Sequence, residues 1–202
     1  NLPYKNTEKD LDLLTDDYQR VASILGLLQS KLHPYKGSMY VAGKLISVDV
    51  RFIGDHYFDT KFQLKVLENR TLNNGVYIPK NDDYFFSLLY HCKVHKKNVK
   101  SIYFDILTKL AIELELDWFS HKTLTDDSIA KNVLGGYYRA NGYVYEKPID
   151  SGVYENNKII IGLPSINSSV NFMKILKSKV RHLTPNFLLS LRRKFLSKIR
   201  KK

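Results

Sequence analysis

The sequence predicts an α/β (α+β) protein, a small mixed sheet flanked by helices and followed by a C-terminal amphipathic basic helix. Three observations predict it. Short runs of alternating type lie near the start of the chain, longer runs with apolar residues at helical spacing follow them, and the charge excess is confined to the last segment. The 202 residues suffice for a sizeable core, and a hydrophobic fraction of 44% fits a globular chain.

In chain order, Lys9 to Leu14 reads as a strand, and Asp16 or Asp17 caps a helix running to about Leu32 with Val21, Ile24, Leu25 and Leu28 at helical spacing. After the loop HPYKGS, Met39 to Ala42 and Leu45 to Ile53 read as two strands joined at Gly43-Lys44. Phe62 to Asn69 is a short helix, and NNGVYIP a turn with a brief extended piece. The stretch PKNDDYFFSLLYHCKVHKK is the strongest helical signal: Asn81 or Asp82 caps it, and Phe85, Leu88, Leu89 and Cys92 make its stripe. A second helix spans about Val99 to Glu115. From there to Pro164, GGYYRANGYVYEKP reads as loop with short strands, and Trp118 as a core anchor. The expected divisions are 1–118, a core; 119–172, a cap or subdomain in which Tyr137, Tyr138 and Arg139 contribute contacts; and 173–202, the basic tail.

The net charge of +12 belongs to that tail. Met173 to Lys202 hold 11 Lys plus Arg and no acidic residue, which leaves 21 basic side chains against 20 acidic ones in the rest. In NFLLSLRRKFLSKIRKK, with Thr184 and Pro185 at its start, Leu188, Leu191, Phe195 and Ile199 form one stripe and basic residues cover the other faces. Such a helix suits an anionic membrane interface through residues 185–202, or docks with its basic face solvated. Nucleic acid is disfavoured, because the body lacks a basic groove or an aromatic-basic module. A single cysteine, Cys92, excludes an intramolecular disulfide and points to a reducing compartment. With no apolar run of about 18 residues and no signal peptide, the expected place is the cytoplasm, peripheral at the inner face of the membrane. The start at Asn1 suggests a fragment.

The chemistry sits in KDLDLL. Residues two apart in a strand share a face, so Asp10 and Asp12 project together, and two close carboxylates call for a cation. Mg2+ or Mn2+ takes such oxygens along with water and phosphate oxygens. Asp49, in the alternating strand LISVDVRF, supplies a third carboxylate if that strand lies beside the first, and Arg51 on the same face offers its fork to a phosphate. Asp55 and Asp59 read as loop formers. His91 and His95, one helical turn apart, lack the Glu of H-E-x-x-H and a third ligand for zinc, so with Lys96 they read as a polar face toward the cleft.

A strand with D-x-D, then a helix, then a hairpin strand with a third Asp resembles the nucleotidyltransferase superfamily that shares its core with DNA polymerase beta. The stretches NLP with KDLDLLTDD, VDVRFIGDHYFD and PKNDDYFFSLLYHCKVHKK look like the uncharacterised nucleotidyltransferase-like domains found beside bacterial surface-polysaccharide genes. The likeness spans about residues 1 to 118. It implies Asp10, Asp12 and Asp49 as metal ligands and catalytic residues, Lys9, Arg51, His91, His95 and Lys96 as substrate contacts, and a nucleoside triphosphate with a sugar or alditol phosphate acceptor in capsule assembly. The superfamily's Gly-Ser or Gly-Gly turn, which holds the triphosphate, is not among the nine residues before Asp10. A non-catalytic binding or scaffolding module of a larger synthase, attached to membrane through the tail, is the alternative.

Overall fold

The computed structural model describes residues 10–30 and 35–166. Among them are seven helices, a four-stranded mixed sheet and a two-stranded one, so the fold is mixed α/β. The sheet is built from β1 (Asp10–Thr15), β2 (Leu28–Gln29), β3 (Lys36–Val41) and β4 (Lys44–Phe52), in the order β1-β4-β3-β2. β1 lies parallel to β4, while β3 pairs antiparallel with β4 and with β2.

Turn chemistry sets the β3–β4 hairpin. Ala42 and Gly43 both have positive φ, 48° and 76°, as a two-residue turn matched to strand twist requires. The turn therefore falls one residue before the expected Gly43-Lys44 pair. The helix after β1 is capped as expected, with the Asp17 carboxylate accepting from the Arg20 N–H at 3.0 Å. It is much shorter than the predicted run to Leu32: α1 spans Tyr18–Ile24. Gly26 stops it in the left-handed region at φ +57°, with the Leu27 N–H donating back to the Ala22 carbonyl and the Gly26 N–H to that of Ser23. Leu28 then leaves for β2, and Ile24 stays exposed instead of joining a buried stripe.

The two faces of the sheet differ. Val48 and Val50 are buried on the face that carries α1, where Tyr18, Tyr35 and Phe52 pack together as rings. On the other face Leu14 of β1 packs against the main core. That core lies among the helices α2 (Thr60–Glu68), α3 (Asn81–Val94), α4 (Ser101–Glu113), α5 (His121–Thr125), α6 (Asp127–Asn141) and α7 (Asn157–Ile160). Phe62, Phe85, Leu89, Leu107, Leu134 and Ile159 are fully buried in it. An exposed hairpin, β5 (Thr71–Asn73) and β6 (Val76–Ile78), turns at Asn74-Gly75 between α2 and α3.

The stretch read as loop from 117 to 164 holds α5, α6 and α7, and the reason is tertiary. GGYYRAN carries poor helix formers, yet Tyr138 is fully buried and stacks on Tyr90 of α3 at 5.4 Å, while Tyr137 stacks on Phe86 at 3.6 Å. These tyrosines belong to the common core and not to a cleft, which removes the expected acceptor contact. Arg139 is exposed and donates to the Gly162 carbonyl. The compact unit continues to Pro164, so no break in the core marks residue 119. Trp118 is 45% exposed at the core's rim, against Phe85 and Phe119. The basic tail helix lies outside the described residues. Among those described, no helix is long and apolar enough to cross a membrane.

Two adjacent glycines in α6 should respond oppositely to substitution. A Cβ on Gly135 would stand 2.6 Å from the Gly162 carbonyl oxygen, whereas one on exposed Gly136 would meet nothing within 4 Å. Gly135→Ala is expected to destabilise by about 1–3 kcal/mol through overpacking, and Gly136→Ala to stabilise by up to about 1 kcal/mol. Urea unfolding of the two variants checks the signs.

Candidate functional site

Register brings the carboxylates of the sequence motif together. Asp12 stands directly across from Asp49 in the parallel β1–β4 pair, and Asp10 across from Ser47. Paired positions on adjacent strands share a face, and the strands lie about 4.8 Å apart. Asp10, Asp12 and Asp49 therefore look out of the same face, toward the helical layer. The strand expected beside the first is indeed there. One part of the expectation changes: Asp10 and Asp12 are both exposed, Asp10 about 6.6 Å further along the strand, and among the described residues no three His, Cys, Asp or Glu side chains form a metal-holding group.

Asp49 is the most elaborated residue of the face. Its Oδ2 accepts from Arg51 at 3.1 Å and lies 3.7 Å from the Lys36 ammonium, which β3 places in register with it. Its Oδ1 is buried without a hydrogen-bond partner. An anionic oxygen in that state is costly unless something positive faces it. Asp12 and Asp49 carry oxygen donors of the type Mg2+ takes, while among the described residues the positive groups that face Asp49 are Arg51 and Lys36.

Arg51 departs from its expected role. Its guanidinium lies 3.1 Å from Asp49, 3.6 Å from Asp150 and 4.0 Å from Asp55, and sits 4.1 Å above the Tyr57 ring. Only 11% of its side chain is exposed. It is a counter-ion held by three carboxylates and an aromatic face, so its fork is not left open for a substrate phosphate. Asp55 and Asp59 are loop formers, as expected. Asp55 accepts from the Tyr57 N–H and the Gln63 amide, and burial raises its pKa against the pull of those donors and of Arg51. Asp59 caps α2 through the Lys61 and Phe62 N–H groups and accepts from Val144 with its other oxygen.

The histidines of α3 flank Tyr57. His91 Nδ1 lies 2.6 Å from the Tyr57 hydroxyl. Burial, reinforced by Lys96, His95, Arg51 and Lys100, pushes the His91 pKa down to about 3. The ring is thus neutral and shares a hydrogen bond with the tyrosine, whose own pKa burial drives well up. His95 is only 4% exposed and both its nitrogens face carbonyls, Nε2 that of Tyr57 at 2.8 Å and Nδ1 that of Tyr154 at 3.1 Å. Burial lowers its pKa despite those two acceptors. The expectation of His95 as a substrate contact is corrected accordingly: it ties α3 to two loops. Neither histidine is arranged as a zinc ligand pair. Lys96 is half-buried just past α3, and Lys9 lies outside the described residues.

Sequence reasoning missed Lys36, Tyr57 and Asp150. Lys36 sat in what read as a loop before β3. Asp150 arrives from a segment anchored by the Ile149 N–H on the Asp55 carbonyl, a pairing that no local pattern announces. No protein-family model, curated protein sequence or solved structure matches this chain.

Proposed function

We propose that the chain is a metal-dependent nucleotidyltransferase-like protein, transferring a nucleotidyl group from a nucleoside triphosphate to a sugar or alditol phosphate acceptor in bacterial surface-polysaccharide assembly. The substrate classes rest on the resemblance of the D-x-D strand and the Asp49 hairpin. The observation that carries the reading is the in-register placement of Asp12 and Asp49 with Asp49 Oδ1 buried and unpartnered.

In this reading Asp12 and Asp49, with Asp10 on the same face, would hold Mg2+ or Mn2+. When bound, such an ion neutralises phosphate charge and favours in-line attack of the acceptor hydroxyl on the α phosphorus, with pyrophosphate leaving. The protein's contribution is rigidity, since both aspartates sit on strands. Arg51 holds Asp49 by one oxygen and leaves the other aimed at the site. His91, neutral at physiological pH, keeps the Tyr57 ring under the guanidinium without adding charge. The basic tail, residues 185–202, places the protein at the inner face of an anionic membrane.

One observation favours the alternative, a non-catalytic module that binds but does not transfer. Lys36 and Arg51 already neutralise Asp49, as in a purely structural ion cluster. Calorimetric titration of Mg2+ or Mn2+ with a panel of nucleoside triphosphates decides between them. Metal-dependent binding that the Asp10→Asn, Asp12→Asn double variant loses is expected. A folded chain that binds no nucleotide with metal would leave the scaffolding reading.

A further inference from the structure

The C-terminal end of α4 combines charge of one sign with a strained backbone. The Leu116 N–H donates to the Ala111 carbonyl at 2.9 Å and the Glu115 N–H to that of Ile112 at 3.2 Å, which closes the helix as a Schellman motif. Such a motif puts its turning residue in the left-handed region, where glycine is favoured, yet Glu115 stands there at φ 54°. Its β-carbon costs backbone energy that glycine would avoid. Charge adds a second cost. Glu113, Glu115 and Asp117 are all exposed at the negative end of the helix, whose last turn holds no basic residue.

These costs surround a concave apolar surface. A groove of about 470 Å3 is lined by Ala111, Ile112, Leu116 and Phe119 together with Glu115 and Asp117, and by no basic side chain. Ile112 is 73% exposed, and Trp118, whose ring meets that of Phe119, stands at the rim. Glu113 is partly satisfied, by the Asn81 amide at 2.9 Å and by Lys109 at 3.9 Å. Among the described residues, Glu115 and Asp117 have no ion-pair partner.

We infer that this groove docks a basic amphipathic helix of a partner protein, with the partner's apolar stripe on Ile112, Leu116 and Phe119 and its Lys or Arg side chains at Glu115 and Asp117. Charge selects the occupant. Carboxylates at the negative end of a helix attract cations and repel a nucleic acid or an anionic lipid surface. The apolar floor in turn calls for more than a bare cation, because its exposed area is covered only by other apolar side chains. The shape suits a helix laid along a helix, since Thr108, Ile112 and Glu115 follow one another at helical spacing along one wall. No residue of the Asp12 and Asp49 pair takes part, so the docking stands or falls apart from the metal-dependent reading.

Trp118 is the only tryptophan of the chain, so its fluorescence reads the groove directly. The probe is a synthetic, tryptophan-free peptide of Leu and Lys patterned as an amphipathic helix, titrated into the full chain at low salt. A saturable blue shift of the Trp118 emission is expected, with affinity falling about tenfold or more as NaCl rises from about 0.05 to about 0.5 M. The double variant Glu115→Lys, Asp117→Lys, altered only at exposed positions, should lose a similar factor at low salt. A matched Leu/Glu peptide should leave the emission unchanged. Glu115→Gly separates docking from a structural role: it relieves the left-handed backbone, so it should unfold at higher urea than the parent while binding the Leu/Lys peptide more weakly. No shift with the Leu/Lys peptide, undiminished binding by the charge-reversed variant, or equal binding of the Leu/Glu peptide would each overturn the inference.

Discussion

Arg51→Met should lower the free energy of unfolding by about 3–5 kcal/mol at neutral pH, the largest loss expected from any single change at the sheet surface. The substitution keeps much of the aliphatic stem and removes only the cation. Asp49, Asp55 and Asp150 would then face one another with their guanidinium gone, and the side chains of Asp55 and Asp150 are 1% and 8% exposed. A buried carboxylate without its partner either stays charged at great cost or keeps a proton. Asp55 already has a pKa raised by burial, with Arg51 among the influences that restrain it. Removing Arg51 raises it further, so the loss should grow as pH rises through the carboxylate range and shrink toward pH 4, where the proton remains. Urea unfolding at pH 4 and pH 7 measures both values. Equal and small losses at the two pH values would mean that Arg51 does not carry the cluster.

Acid should destabilise the chain through His91, beginning well above the carboxylate range. Its pKa is about 6.5 in an unfolded chain and about 3 in the fold, where burial disfavours the imidazolium. Between those values the unfolded chain binds a proton that the folded one does not. The stability contributed by the neutral ring is therefore complete above about pH 6.5 and is lost as pH falls toward 3. One such proton gives a slope of about 1.4 kcal/mol per pH unit. His95, also shifted down by burial, adds in the same direction. His91→Asn retains an acceptor near the Tyr57 hydroxyl but cannot titrate. The variant should lose some stability at pH 7, and its stability should fall less steeply than the parent's between pH 6.5 and 4. An unchanged slope would show that His91 does not set the acid response.

The two effects share a physical origin. Arg51, Tyr57, His91 and His95 form a stack in which a buried cation, a buried phenol and two neutral rings compensate one another. Low dielectric makes each partner valuable and each orphan costly. That stack reaches Asp49 through Arg51, so stability variants there should also alter the metal binding proposed for Asp12 and Asp49. Measurements on Arg51 and His91 variants therefore need the ion-binding readout beside the unfolding one.

Local signals sufficed where a residue's neighbours in sequence are also its neighbours in space. The strand period put Asp10 and Asp12 on one face, and the alternation of LISVDVRF separated Val48 and Val50 from Asp49 and Arg51, as β4 does. The stripe Phe85, Leu89 and Cys92 became the buried side of α3, and Asp17 capped its helix. Where local preference competed with packing, the reading failed. α6 forms although GGYYRAN is poor in helix formers, because its tyrosines stack on α3 and Gly135 admits the Gly162 carbonyl. α1 stops early because Gly26 turns left-handed and Leu28 is claimed by β3.

From the sequence alone came the α/β class, the D-x-D strand, the face shared by its aspartates and the charge division between a nearly neutral body and a basic tail, all of which depend on spacing of a few residues. Only the tertiary structure decided that Asp12 faces Asp49, that Arg51 is a clasped counter-ion, and that His95 and Tyr138 are interior. Those outcomes depend on contacts between distant parts of the chain, such as Arg51 with Asp150 and Tyr90 with Tyr138. No local periodicity encodes them, because the energy that selects them exists only once the low-dielectric interior has formed.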